Sequence, residues 1–484
     1  MSLGAALSNA ATGLRVTARA ADLVSSNVAN ALTPGYARRD LSLATVTYGS
    51  SGGVRVASVV RDVDPIVVGE RRLAEAGAVG ADVLASALAR MEDAIGEPSE
   101  TGSLSERIAR FDSSLIAAAS RPDLPARLSE AIDAARGVAD GFTRIGNQIQ
   151  EVRTRADTEI GQMVDRLNAA LGQVQTLNQQ IRALGGADRQ SSQLQEQRQQ
   201  VIDSITDIVP LRVLPRDAGT VALVSAGGLV LLDGQIRDLN FESKGIVEPW
   251  MTLADGALSG LSWGDTEIDT TAERSLISGG ALQAQFDLRD RAGPETQAAL
   301  DSLARDLVER FQDPVLDPTI PPGGAGLFTD GAGAFDAANE EGLSLRLAVN
   351  AALDPAVGGE TWRLRDGVGA AAEGARGENT LITALRERLT EPRAPSSGPF
   401  AGESRSVASQ AARFLTAIAT ERQARDRDIS YETARLDSFR QREANGAVDT
   451  DDEMQKLLTI EQAYGANARV IRTIDALMDQ LLRI

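Results

Sequence analysis

The sequence has no histidine and no cysteine in 484 residues, and its only lysines are Lys244 and Lys456. These absences exclude Ser-His-Asp triads, cysteine nucleophiles, disulfides, and metal sites built from thiolate or imidazole groups. Carboxylate pairs are the main catalytic option that remains, and no spacing selects a pair. We therefore expect a protein that is not an enzyme and that has no catalytic residues, metal ions or cofactors.

Long apolar runs are also lacking. No stretch approaches the ~20 apolar residues that cross a membrane, and the first residues lack the basic start and apolar centre of a cleaved signal peptide. The net charge of −19 indicates that neither nucleic acid nor an anionic membrane surface is a partner. Composition alone favours a cytoplasmic location. The absence of cysteine is also compatible with export of the chain in an unfolded state without disulfide bonds.

The end of the chain, residues 449–484, carries a heptad pattern. The spacing between its seam positions alternates between three and four residues, which is typical of a coiled coil. These positions are Leu457, Ile460, Tyr464, Asn467, Ile471, Ile474, Met478 and Leu481. An acidic run precedes them (Asp449, Asp451, Asp452, Glu453), and we expect it to cap the helix N-terminus.

The start of the chain carries a matching pattern. Its positions are Leu3, Leu7, Ala10, Leu14, Thr17, Ala21, Val24 and Val28. One such stripe is typical of an ordinary core-facing helix, but two matched stripes at opposite ends favour pairing of the terminal helices. Because an isolated pair of ~30-residue helices buries little area, we expect it to become ordered by packing against other copies.

Polar residues follow the first stripe. Pro34 and Gly35 predict a turn that ends the helix, and Tyr36 either belongs to that turn or contacts a neighbouring subunit. Asn27 and Asn30 either face solvent or form hydrogen bonds across subunits. At the other end of the chain, the asparagine at seam position 467 is predicted to set the register of the coiled coil at some cost in stability.

Between the ends, the pattern predicts a hairpin and then a helical body. The hairpin consists of residues 41–48 and 54–60 around a glycine-rich turn. Helices are predicted for residues 65–95, 104–120, 124–184, 192–209, 281–311 and 404–444. Ser103 and Glu106 form a capping box for the second of these, and Gly293-Pro294 is predicted to break the fifth. The helix of residues 124–184 would reach ~90 Å.

Two inserted stretches have a different composition. Short β-branched segments at 211–214, 221–224 and 229–232 predict strands, whereas residues 314–399 are predicted to be loop-rich and weakly β. Together these stretches hold all three tryptophans, Trp250, Trp263 and Trp362. That distribution predicts one or two small separate cores.

The predicted fold class is mixed but mainly α, with three nested parts. Residues 1–62 with 446–484 form a terminal coiled-coil arm with a hinge hairpin. Residues 63–210 with 276–313 and 403–445 form an elongated helical bundle. Residues 211–275 with 314–402 form a β-rich outer insertion.

Two motifs are similar to those of the rod, hook and hook-associated family of bacterial flagellar axial proteins. They are residues 25–36, Ser-Ser-Asn-Val-Ala-Asn-Ala-Leu-Thr-Pro-Gly-Tyr, and residues 461–471, Glu-Gln-Ala-Tyr-Gly-Ala-Asn-Ala-Arg-Val-Ile. The long helix and residues 194–198, Leu-Gln-Glu-Gln-Arg, resemble the hook-filament junction members, although Gln195 and Gln199 stand where Asp is common in them. The resemblance covers about residues 1–234, 279–311 and 404–484.

The resemblance implies a structural subunit that filament assembly needs. It implies secretion through the flagellar export apparatus without a cleaved signal peptide, and a place in the extracellular flagellum. The implied partners are further copies of the chain in a ring-like homo-oligomer, the flagellar hook protein, the second hook-filament junction protein and an export chaperone at the C-terminal helix. The candidate assembly interface is Leu3, Leu7, Leu14, Asn27, Asn30, Pro34, Gly35, Tyr36, Leu457, Ile460, Tyr464, Asn467, Ile471, Ile474, Met478 and Leu481.

Two alternatives remain open. A hook or rod axial protein shares the terminal motifs, but the long helix and residues 194–198 disfavour it. An axial subunit whose outer domain binds or cleaves glycans would use carboxylates such as Asp265 and Glu267 for acid and base chemistry.

Overall fold

The terminal helices and a β-hairpin lie together at one end of the molecule. The computed structural model describes residues 3–33, 36–48, 51–185, 189–272, 274–446 and 448–482. Helix α1 (Leu3–Ala29) packs along the last helix, α12 (Thr450–Leu482), and against the hairpin of β1 (Arg39–Tyr48) and β2 (Ser51–Arg61). The antiparallel register pairs Arg39 with Arg61. The hairpin is confirmed, but β2 begins earlier than predicted.

Three long helices and several shorter ones form the body. They are α2 (Pro65–Ile95), α3 (Leu104–Ser120), α4 (Pro125–Ala183), α5 (Arg189–Asp203), α6 (Gly280–Asp287), α7 (Gly293–Phe311), α8 (Leu343–Arg346), α9 (Arg363–Asp366), α10 (Thr380–Thr390) and α11 (Val407–Asn445). Side-chain caps explain several starts. Asp64 accepts from the N–H of Ile66 at 2.8 Å, and the hydroxyl of Ser103 accepts from the N–H of Glu106 at 3.2 Å. The predicted capping box differs in one bond, because the Glu106 carboxylate accepts from the N–H of Gly102.

Helix α4 is the axis of the body. Its 59 residues extend about 90 Å at 1.5 Å per residue, and its apolar face supplies two hydrophobic cores. The first core uses α4 as far as Ala156, together with residues of α2, α3, α7, α10 and α11. Three phenylalanines, Phe111, Phe311 and Phe328, meet at its centre with ring centroids 5.4 to 6.2 Å apart.

The second core begins at Ile160 of α4 and is covered by two small sheets. The four-stranded sheet has the order β3 (Leu211–Pro215), β4 (Val221–Ser225), β5 (Val230–Asp233) and β6 (Gln235–Ile236). The three-stranded sheet has the order β7 (Leu239–Asn240), β8 (Leu261–Trp263) and β9 (Thr266–Ile268). The three strands predicted from the sequence are therefore present, and they pack on the distal half of the long helix.

Residues 314–402 differ from the prediction. They contain one strand pair, β10 (Phe328–Asp330) with β11 (Leu347–Val349), and the helix α10 that the sequence did not predict. Their apolar side chains join the first core instead of forming a separate one. The tryptophans do not mark small cores either, since Trp250 is 58% exposed and Trp263 packs at the edge of the second core.

The predicted break at Gly293-Pro294 is also wrong. A π-helical turn, Leu288–Ala292, joins α6 to α7, and the N–H of Gly293 bonds to the carbonyl of Leu288. A proline inside a regular α-helix lacks a donor and collides with the preceding turn. The wider turn accommodates the ring of Pro294, so the helix continues.

A buried charge network lies at this π-helical turn. Arg289, Arg153 and Asp157 are each fully buried, and Arg289 donates to Asp157 at 2.8 Å and to both carboxylate oxygens of Asp290. Burial lowers the pKa of Arg153 to about 10. Asp157 also accepts from the backbone N–H of Lys244 at 2.7 Å. The network therefore ties the inserted loop to α4 and to the π-helical turn.

Arg153 extends the same anchor. It donates to the carbonyls of Glu248 at 3.1 Å and Met251 at 2.7 Å, and to the carbonyl of Arg289 at 3.0 Å. A single buried guanidinium thus satisfies backbone oxygens of two separate segments, which would otherwise be buried without a partner.

Asp301 of α7 is a second buried carboxylate. It accepts from the backbone N–H of Gly342 at 2.8 Å and of Ser344 at 2.9 Å, and from the amide of Gln297 at 2.9 Å. Burial raises the pKa of the Asp301 carboxyl above its ordinary value of 3.8, although these hydrogen bonds oppose the rise. The proton is therefore held more tightly in the folded state than in the unfolded state.

This shift predicts the pH dependence of the variant Asp301→Asn. A raised folded-state pKa contributes stability that is present below pH 3.8 and is lost as the pH rises through the folded-state pKa. The advantage of the wild type over the variant in unfolding free energy should therefore shrink with rising pH, by at most about 1.4 kcal/mol per pH unit. Urea unfolding between pH 4 and 8 measures it.

A matched variant should change in the opposite direction. Hydrogen bonds from Arg365 lower the pKa of Asp366 despite its burial. The cost of Asp366→Asn should therefore be smallest in acid and grow as the pH rises through the depressed pKa to the unfolded value. A cost of Asp301→Asn that grew with pH in the same way would contradict the interpretation.

Among the residues that the structure describes, no helix combines the length and the apolarity needed to span a membrane.

Candidate assembly interface

The terminal helices run antiparallel, with the two seams facing each other. Gly13 of α1 lies against Asn467 of α12, where a Cβ on Gly13 would sit 2.8 Å from the Asn467 amide nitrogen. Farther along the pair, Asn27 meets Glu453. The Asn467 side chain therefore packs directly against the backbone of Gly13, and a larger residue there would have to displace its amide.

Burial along the seams is uneven. Ala10, Val24 and Ile474 are buried, whereas Tyr464 and Met478 are each 48% exposed. Leu3, Leu7, Leu14, Leu457, Ile460, Asn467 and Ile471 are half-buried, and the side chain of Leu481 lies outside the described part of the structure. One helix pair thus leaves much of its apolar surface in water.

Helix α12 is apolar beyond its seam. Met454, Leu458, Val470 and Leu477 are between 43% and 58% exposed. Met454 and Leu458 lie on one side of the seam near the start of α12, and Val470 and Leu477 lie on the other side towards its end. We call these four exposed apolar residues the apolar strip of α12. Large exposed apolar patches mark interaction surfaces.

Asn27 is the centre of a buried polar cluster that joins three segments. Its amide donates to a Glu453 carboxylate oxygen and to the carbonyl of Arg39, both at 2.9 Å. Its carbonyl oxygen accepts from the N–H of Arg39 at 3.1 Å and from the hydroxyl of Tyr36 at 2.9 Å. All four bonds are intramolecular, so Asn27 links α1, the turn before β1, and α12.

Glu453 is 1% exposed and is held from both sides. Its second carboxylate oxygen accepts from the ammonium group of Lys456 at 3.0 Å, and Lys456 also contacts Asp40 at 3.3 Å. Burial opposes the charge on Lys456, but the bond to Glu453 and the nearby Asp40 raise the pKa of its ammonium group. The capping of α12 is performed instead by Asp449, which accepts from the N–H of Asp451 at 2.9 Å.

The other residues of the N-terminal motif have local roles in the structure. Asn30 donates to the carbonyl of Ser26 at 2.8 Å on its own helix. The ring of Tyr36 lies under the guanidinium of Arg39, 5.0 Å from its carbon. Pro34 and Gly35 lie outside the described residues.

Glu196 connects the hairpin to the body. It contacts Arg39 at 2.6 Å and Arg61 at 3.8 Å, and all three side chains are at most 15% exposed. Nearby, Arg198 donates to Asn178 of α4 at 2.7 Å, and burial lowers its pKa to about 10. The segment 194–198 therefore connects the hairpin of the terminal arm to α4 of the body.

Glu453, Arg39 and Lys456 belong to this site although the sequence pattern does not predict them there. The pattern predicts Glu453 only as a helix cap, and the signal that distinguishes it is the nearby Lys456, one of two lysines in the chain. The carboxylates of the glycan alternative are both exposed, Asp265 in the turn between β8 and β9 and Glu267 within β9.

Two family models match this chain. The model described as "Flagellar hook-associated protein FlgK helical domain" matches residues 88–313, which run from the end of α2 through α7. The model described as "Flagellar basal body rod FlgEFG protein C-terminal" matches residues 447–484, which contain α12. The match to the FlgK helical domain favours a hook-associated protein over a hook or rod protein, two classes that the shared terminal motifs do not distinguish.

Curated relatives match over almost the whole length. Flagellar hook-associated protein 1 of Bacillus subtilis (strain 168) is 26% identical, with 98% of this chain and 97% of that protein covered. Flagellar hook-associated protein 1 of Escherichia coli (strain K12) is 24% identical, with 99% of each chain covered. The chain is similar to flagellar hook-associated protein 1 along almost its whole length. It is a structural subunit of the bacterial flagellum, and the mainly α fold predicted from the sequence is confirmed.

A solved structure also resembles the chain. The flagellar hook junction protein FlgK from Burkholderia pseudomallei matches with a TM-score of 0.45 and 18% identity, over 55% of this chain and 47% of that chain.

Proposed function

We propose that this chain forms the junction between hook and filament and assembles there through its terminal arm. The observation that supports the contact surface is the apolar strip of α12, whose side chains at Leu458 and Leu477 are 58% and 43% exposed. Such a strip is stabilised when neighbouring copies cover it. The seam residues and the N-terminal motif would then lie at or beside contacts between subunits.

We also propose the assembly partners of the chain and the route by which it leaves the cell. Copies of the chain form a ring-like homo-oligomer, with the hook protein on one side and the second junction protein on the other. The chain is secreted through the flagellar export apparatus, and a chaperone covers α12 beforehand, because its exposed apolar residues promote aggregation. The arm of residues 1–62 with 446–484 lies innermost, and the helical body surrounds it.

Cells whose only copy lacks residues 447–484 test this function. We expect electron micrographs to show hooks of normal length without filaments, and we expect flagellin in the culture medium, because the filament has no base on which to assemble. The full-length variant Val315→Ser is the control, since it changes an apolar residue that is 82% exposed on the body. It should give normal filaments.

Other outcomes would contradict the proposal. Cells without hooks would indicate a rod or hook subunit. Normal filaments on cells that produce the truncated chain would show that α12 is not needed for assembly.

A further inference from the structure

The face of α1 that points away from α12 is basic. Arg15 and Arg19 lie one turn apart on this face, opposite the seam, and both are exposed. A recess of about 360 Å³ lies between this face and the hairpin and is lined by Arg15, Arg19 and Arg39, with one carboxylate, Asp22. Leu23 and Leu41 are among its apolar lining residues.

Two of these arginines have no ionic partner in the described part of the chain. Arg39 is neutralised by Glu196, but Arg15 bonds only a carbonyl of its own helix, and Arg19 makes no hydrogen bond or ion pair there. Like charges one helical turn apart repel each other. In a chain with 49 basic and 68 acidic residues, such a site favours an anionic partner.

The first turn of α12 has the complementary charge. Asp451 and Asp452 are exposed and form no ion pairs among the described residues. The carboxylate of Asp449 is already used, because it caps the helix. Asp452 lines a neighbouring recess beside Arg39 of its own chain, but Arg15 and Arg19 face away from α12 and do not meet the acidic turn within one chain.

We propose that the basic recess of one subunit binds the acidic first turn of α12 of a second copy. The inference rests on the proposed function, namely assembly of the chain through its terminal arm. Two different surfaces of each copy take part, so every subunit keeps one free recess and one free turn for the next. Such heterologous contacts build rings or helical arrays, and charge complementarity fixes their register.

A charge exchange tests this contact in cells whose only copy carries Arg19→Glu, Asp452→Arg, or both substitutions. Each single variant places like charges opposite each other, so we expect roughly tenfold fewer filaments per cell. The double variant restores an opposite pair and should recover filaments. Arg110→Glu makes the same charge change at an exposed position on α3 and should leave filament numbers unchanged.

Two further measurements distinguish a lost contact from a variant that fails to fold or to be exported. Circular dichroism of the purified variants verifies that the helices form, and the amount of each variant outside the cell verifies export. Normal filaments on both single variants, or a double variant that stays as defective as they are, would overturn the contact. The truncated chain without residues 447–484 separates the two proposals, because it must still lose filaments if only the charge contact is wrong.

Discussion

Replacing Arg289 by methionine is expected to lower the unfolding free energy by about 3–5 kcal/mol. The guanidinium is fully buried and forms ion pairs with Asp157 and Asp290, and it also bonds the carbonyl of Ser259. Methionine has a similar apolar bulk but leaves the carboxylate of Asp157 buried without its counter-ion. The inserted loop would at the same time lose the hydrogen bond from Arg289 to the carbonyl of Ser259.

Arg291 provides the matched control. It lies in the same π-helical turn, but its side chain is 48% exposed and pairs with Asp287 and Glu295 on the surface. Arg291→Met should cost less than about 1 kcal/mol because water screens surface ion pairs. Urea unfolding followed by tryptophan fluorescence compares the two variants. Equal costs would contradict the importance assigned to the buried network.

Replacing Asn27 by leucine is expected to weaken the packing of α12 on α1. The free energy needed to separate the two helices should fall by about 3 kcal/mol. The substitution removes four hydrogen bonds and leaves the carboxylate of Glu453 and the N–H of Arg39 buried without that partner. Amide hydrogen exchange of the purified monomer measures the effect. Amides of α12 should exchange on the order of a hundredfold faster than in the wild type.

Asn30→Leu is the control for this experiment. Asn30 is on the next turn of the chain and bonds only the carbonyl of Ser26, so its replacement should leave the exchange of α12 nearly unchanged. Unaltered exchange in Asn27→Leu would mean that the seam alone holds the two helices together. The polar cluster would then not stabilise the contact between α1 and α12.

Local signals allowed much of the helical body to be predicted. The bounds of α2 follow from Asp64 and Pro65 at its start and Gly96 at its end, residues whose backbone preferences act without tertiary contacts. The heptad positions likewise indicated the pairing of α1 with α12. The residues 314–402 could not be assigned in the same way, because their scattered apolar side chains pack on helices far away in sequence and no period of their own records that contact.

The polar cluster shows a different limit. Asn27 and Glu453 are 426 positions apart, and an asparagine near a helix end is typical of both solvent-facing and bonded side chains. The motif identified the residue as notable, but only the antiparallel pairing brings its partner into reach. The division of the chain into arm, bundle and insertion stays a proposal, and the shared core of residues 314–402 with the bundle argues for assigning that stretch to the bundle.

Thiol labelling at Leu458 tests the central claim most directly, because the chain has no cysteine of its own. Leu458→Cys and the body control Val315→Cys should both react with a maleimide in the purified monomer, where the native side chains are 58% and 82% exposed. In isolated flagella, the thiol at position 458 should react roughly tenfold more slowly, since interface cores pack as densely as protein interiors. Equal reactivity of that thiol in the monomer and in flagella would contradict the assembly of this subunit through the exposed strip of α12.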